Sequence, residues 1–78
     1  MSKDYIYRRC IDVMTLVVDG NVTTPDYELL QEICGESTEE VIDELHQKRF
    51  LFRNSNGDPW SISKASARKA IKYYNSLI

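Results

Sequence analysis

Apolar positions along the chain first recur at a helical period, then alternate, then return to the helical period. Ile6, Cys10, Val13, Met14 and Val17 form one stripe over residues 4–19, and Tyr7, Ile11 and Val18 widen it. A stripe that wide predicts a helix packed on more than one side. Asp19-Gly20-Asn21 ends it, with Gly20 as the expected left-handed cap. Val22-Thr23 reads as a short extended piece. Thr24 is the expected N-cap of a second helix, with Pro25 at its first position, where a missing N–H costs nothing. Asp26 and Glu28 then fall in the first turn, where the helix dipole favours acids. Tyr27, Leu30, Ile33 and Cys34 mark its buried face, and Gly35 ends it. Ser37 or Thr38 caps a third helix, and Ser37 with Glu40 fits a capping box. Val41, Ile42 and Leu45 supply the inward face of that helix.

The period changes after Arg49. Phe50 and Phe52 alternate with Leu51, and Trp60 and Ile62 alternate on a returning segment. Asn56-Gly57 and Asp58-Pro59 between them are turn signals, so the segment predicts a β-hairpin. Ser63 then caps a last helix from Lys64 to about Ser76, with Ala67, Ala70, Ile71, Tyr74 and Leu77 on its apolar side. Lys64, Arg68 and Lys72 are four residues apart and make a basic stripe on one face.

Helix, short extended piece, helix, tight turn, helix, hairpin, helix: this order resembles the winged-helix domain superfamily over about residues 4–62. The stretch Ser37-Thr38-Glu39-Glu40-Val41-Ile42-Asp43-Glu44-Leu45-His46-Gln47-Lys48-Arg49-Phe50-Leu51-Phe52-Arg53 carries the resemblance, because a third helix steps through Lys48-Arg49 straight into the hairpin. The resemblance implies an α+β fold. It would be a winged helix with a three-helix core, a two-stranded β-hairpin wing and a C-terminal helix, and residues 1–78 would form one domain. It implies duplex DNA binding, with the third helix in the major groove and the wing beside it. Other members of the superfamily make protein–protein contacts and touch no DNA.

Composition bounds the reading. The chain has 78 residues, 42% hydrophobic and 28% charged, which is too apolar for disorder and has room for one domain. No apolar run approaches the ~20 residues of a membrane span, and Met1 to Tyr5 carry no signal-peptide pattern. A cytoplasmic protein without a membrane partner is the expectation.

Charge changes the functional picture. The net charge of -2 hides a strong asymmetry. Residues 10–46 hold Asp12, Asp19, Asp26, Glu28, Glu32, Glu36, Glu39, Glu40, Asp43 and Glu44 with no Lys or Arg. Residues 48–78 hold Lys48, Arg49, Arg53, Lys64, Arg68, Lys69 and Lys72 against Asp58. Three readings compete: a nucleic-acid partner on the basic side, a basic partner on the acidic side, or two halves that face each other or are simply solvated. Four outward acids on the third helix, Glu39, Glu40, Asp43 and Glu44, depart from the DNA-binding pattern, since they repel phosphates.

The leading reading is a small DNA-binding regulatory protein that docks duplex DNA through the wing and the last helix. Gln47, Lys48 and Arg49 would stand at the groove edge, Arg53, Asn54 and Asn56 on the wing, and Lys64, Arg68, Lys69 and Lys72 on the last helix. The alternative is a protein–protein interaction module, in which Glu32, Glu36, Glu39, Glu40, Asp43 and Glu44 meet a basic protein. Catalytic and cofactor chemistry have little to stand on. His46 is the one histidine, Cys10 and Cys34 lie in no metal-ligand spacing, and neither a G-x-S-x-G nor a P-loop occurs. No enzyme, metal or cofactor is expected. Both cysteines fall on apolar faces and read as buried thiols, and Trp60 reads as a core anchor. Most tyrosines should pack at the core boundary with the hydroxyl at water. Leu77 and Ile78, with Tyr5, Ile6 or Tyr74, offer a homodimer contact through the terminal helices.

Overall fold

The structure, a computed structural model, describes residues 3–52 and 60–78. Its elements are α1 (Asp4–Asp19), α2 (Tyr27–Cys34), a single 3-10 turn (Gly35–Ser37), α3 (Thr38–Gln47) and α4 (Lys64–Asn75). The periodicity places these helices well; their caps differ from expectation in instructive ways. At the end of α1, Gly20 stays right-handed at φ -87, and Asn21 takes the left-handed conformation at φ 59. Asn tolerates that region better than most side chains. Gly20 is there for space, because a Cβ would lie 2.7 Å from the Leu16 carbonyl oxygen.

Helix α2 starts later than Pro25 suggests. Asp26, in extended backbone, is the N-cap, and its Oδ1 accepts from the Leu29 N–H at 2.8 Å. No capping box forms at α3. The 3-10 turn already coils into the helix, so Ser37 sits at φ -91, ψ 6 and makes no side-chain cap bond. Thr38 is buried instead, and its hydroxyl donates to the Gly35 carbonyl at 2.6 Å. The cap of α4 is as expected: the Ser63 hydroxyl accepts from the Ser66 N–H at 3.0 Å.

The expected α+β class, with a two-stranded hairpin wing, is overturned. Among the described residues the chain is all-helical and has no strand. What remains of the hairpin is one isolated antiparallel bridge, Phe52 to Ser61, closed by two backbone bonds of 2.9 and 2.7 Å. On the side of the bridge that faces the helices, the helix termini take up the backbone. A turn at the end of α3 uses up Lys48 to Phe50, and the Phe50 N–H is held by the Leu45 carbonyl. On the returning arm, Ile62 gives its N–H to the Thr23 carbonyl, and Ser63 is already the cap of α4. The expected turn at Asn54–Pro59 lies outside the described residues.

Alternation still decides which side chains point inward. Leu51 and Ile62 are buried, whereas Phe52 is 53% exposed. They join a core of Cys10, Val13, Met14, Val17, Leu30, Cys34, Val41, Ile42, Leu45, Ala67, Ala70 and Tyr74. Helix α1 is central, packing along α4 and also against α2 and α3. The two alanines of α4 bring its backbone close to α1, so a larger residue at Ala67 or Ala70 would overpack the seam. Two expected core members are outside: Tyr27 on α2 and Leu77 after α4 are each 43% exposed. No helix among the described residues is long and apolar enough to cross a membrane.

Candidate nucleic-acid interface

The end of α3 is built by an αL turn. Arg49 takes φ 62, its N–H bonds the His46 carbonyl, and the Phe50 N–H bonds the Leu45 carbonyl, at 3.1 and 3.0 Å. This is the Schellman arrangement, in which glycine is the usual residue at the left-handed position. Here an exposed arginine occupies it, directly after exposed Gln47 and Lys48. The turn sends Phe50 back onto α4, where its ring lies 5.9 Å from those of Tyr73 and Tyr74.

That contact marks the flank of α4 that meets the end of α3. Lys69 lies one turn before Tyr73, on the flank of α4 that carries the Phe50 contact. Lys72, Arg68 and Lys64 follow in order around the outer side of the helix. All are exposed except Lys64, which is half-buried. None of Lys48, Arg49, Lys64, Arg68, Lys69 and Lys72 forms an ion pair with a described residue. The acidic half therefore holds none of these six in an ion pair among the described residues. Arg53, Asn54 and Asn56, expected on the wing, lie outside the described residues.

The six acids of the alternative site do not make one plane. Glu32 lies on the outer side of α2, beside Glu28 and Gln31. Glu36 is exposed on the 3-10 turn. Glu39 accepts from the Tyr27 hydroxyl at 2.7 Å, which raises the pKa of that phenol. Glu44 is half-buried and accepts from the Tyr74 hydroxyl at 3.0 Å. Glu40 is exposed and shares a shallow depression with Lys3, Ile6, Asp43, Glu44 and Gln47. Two of the four α3 acids are thus committed to tyrosines, which sequence spacing does not show.

Burial pushes the Cys10 thiol up to about 12, with Glu44 and Cys34 adding to the shift. It pushes Cys34 up to about 11, partly offset by Arg9. Both are free and buried. His46 is exposed, and no metal-competent group of three or more ligands occurs among the described residues.

A cleft of about 280 Å³ opens elsewhere, between Tyr27, four α3 residues (Glu39, Ile42, Asp43 and His46) and Trp60. Trp60 is half-buried against the core and also lines this cleft. The sequence reading missed it because its three contributing segments are distant in the chain. The one local signal is that the four α3 positions share a helix face. Tyr5, Leu77 and Ile78 are exposed at the chain ends. No family model, curated protein or solved structure matches the chain.

Proposed function

We propose that this chain is a binding protein, not an enzyme, and docks duplex DNA through the cationic edge formed by the end of α3 and the outer side of α4. The observation that carries the reading is the set of six cations on that edge without a carboxylate partner among the described residues. Unpaired surface cations cost little to bring to a polyanion, and each phosphate contact releases counterions. The acids of α3 argue against laying that helix along a groove. With Glu44 turned to Tyr74 and Glu39 held by Tyr27, the edge can approach by its Gln47–Arg49 end. Phosphate contacts of this kind position a protein and carry little sequence information. Free, buried thiols fit a reducing compartment, and the reading places the protein in the cytoplasm.

Fluorescence anisotropy with a mixed-sequence duplex tests it, across salt from ~50 to ~200 mM. Six phosphate contacts would lower the affinity about a thousandfold over that range. Arg68→Gln and Lys72→Gln should each weaken binding and reduce the log–log salt slope by about 1. Absence of binding at the low-salt end, or a slope that both variants leave unchanged, would remove the proposal.

A further inference from the structure

Glu39, Ile42, Asp43 and His46 stand on one face of α3, at spacings of three and four residues, and form one wall of the 280 Å³ cleft. Tyr27, at the first position of α2, and Trp60, on the returning segment, supply the other walls. The cleft is at or below the lower end of the ~300–1,000 Å³ typical of small-molecule pockets, so it suits a single side chain better than a cofactor.

Its lining combines three kinds of group. Ile42 and the rings of Tyr27 and Trp60 are apolar walls, and an aromatic face attracts a cation through its quadrupole. Two carboxylates, Glu39 and Asp43, stand among them, and neither forms an ion pair with a described residue. The Tyr27 hydroxyl donates to Glu39 at 2.7 Å, which holds both the ring and the carboxylate in place. A bare metal ion would need more oxygen ligands than this. An organic cation on an apolar stem matches both halves of the lining, the stem against Ile42 and the rings and the head at the acids.

We infer that this cleft is a binding site for one lysine or arginine side chain presented by a basic segment of a partner protein. Charge complementarity commits it to that occupant. All of its lining except Trp60 comes from the stretch of residues 10–46 that carries ten acids and no Lys or Arg, a region that would repel an acidic or nucleic-acid ligand. The lining shares no residue with the cationic edge proposed for DNA, and neither proposal depends on the other.

Trp60 is the chain's only tryptophan, so intrinsic fluorescence reports on the cleft directly. The full chain is titrated with the peptide acetyl-Gly-Arg-Gly-amide and, in parallel, with the same peptide carrying citrulline, the neutral isostere of arginine. A saturable change with the arginine peptide is expected at about millimolar concentration. The citrulline peptide should bind more weakly. Asp43→Asn and Glu39→Gln should each weaken the arginine peptide about two- to fivefold, and Gln at 39 keeps an acceptor for Tyr27. Asp43→Asn should leave duplex affinity at least as high as before, which separates this site from the DNA edge. Equal responses to the two peptides would overturn the inference. So would an unsaturable change, or affinities that neither substitution moves.

Discussion

The buried Tyr74 hydroxyl donates to the Glu44 carboxylate at 3.0 Å, tying α4 to α3 by a charge-assisted hydrogen bond. The Tyr74 ring also stacks on Tyr7 of α1 at 5.5 Å, so one side chain joins three helices. Removing either partner has unequal consequences. Tyr74→Phe leaves a half-exposed carboxylate that water can reach, and should cost about 1 kcal/mol. Glu44→Ala leaves the core hydroxyl only the Cys10 thiol, a weak partner, and should cost more, up to about 3 kcal/mol. Urea midpoints of both variants check the order. A Glu44→Ala protein as stable as the parent would show that the bond contributes nothing.

The same seam makes the protein sensitive to alkali. Burial raises Cys10 to about 12 and Cys34 to about 11, against an ordinary 9.0, and also raises Tyr74. Above pH 9 the unfolded chain releases thiol protons that the folded chain retains. Stability is therefore intact below that point and falls as pH rises, until the folded thiols ionise at about 11 and 12. Each thiol adds a slope of at most about 1.4 kcal/mol per pH unit. Tyr74 adds to the fall in the same direction once an unfolded tyrosine ionises, above pH ~10. Urea titrations at several pH values should show this decline, and Cys34→Ala should flatten it between pH 9 and 11 whatever it does to the midpoint at neutral pH.

Helix positions were readable because their stripes are long and regular. Val13, Met14 and Val17 on α1 and Val41, Ile42 and Leu45 on α3 are buried as their spacing implies. The hairpin pattern misleads for a physical reason. Phe50, Leu51 and Phe52 alternate like a strand, but the Phe50 N–H is spent on ending α3. Side-chain periodicity carries no record of where a backbone N–H is used. The cations of α4 are legible as a stripe, and their lack of ion pairs among the described residues is not. Tertiary contacts alone turn Glu39 and Glu44 towards tyrosines 12 and 30 residues away.

Gly35 sits between α2 and α3 at φ 58, ψ -126. A ψ of -126 lies far from the left-handed helical region, where ψ is about +47. An L side chain there is strained by its own backbone, although nothing lies within 4 Å of an added Cβ. Gly35→Ala should therefore destabilise by about 1–3 kcal/mol through the backbone alone. Gly35→Asn should fare no better, because the tolerance of Asn applies to the helical left-handed region. Thermal melts of the two variants test this. Rescue by Asn would place the turn in the ordinary αL conformation.

Arg49 is the residue at which stability and binding should separate. It holds a left-handed φ of 62 that glycine adopts without strain. A non-glycine residue there costs about 1–2 kcal/mol, of which glycine gives back part as extra freedom in the unfolded chain. Arg49→Gly should thus stabilise the fold by about 0.5–1 kcal/mol, since the Schellman bonds involve only the backbone. Under the proposed function it should also weaken duplex binding and lower the salt slope by about 1, because one phosphate contact is lost. Arg49→Lys keeps the charge and the strain, and should leave both quantities near the parent values. A urea midpoint and an anisotropy titration on each variant give the two readouts. A glycine variant that is more stable and binds duplex unchanged would leave Arg49 as a strained cap with no role at the DNA edge.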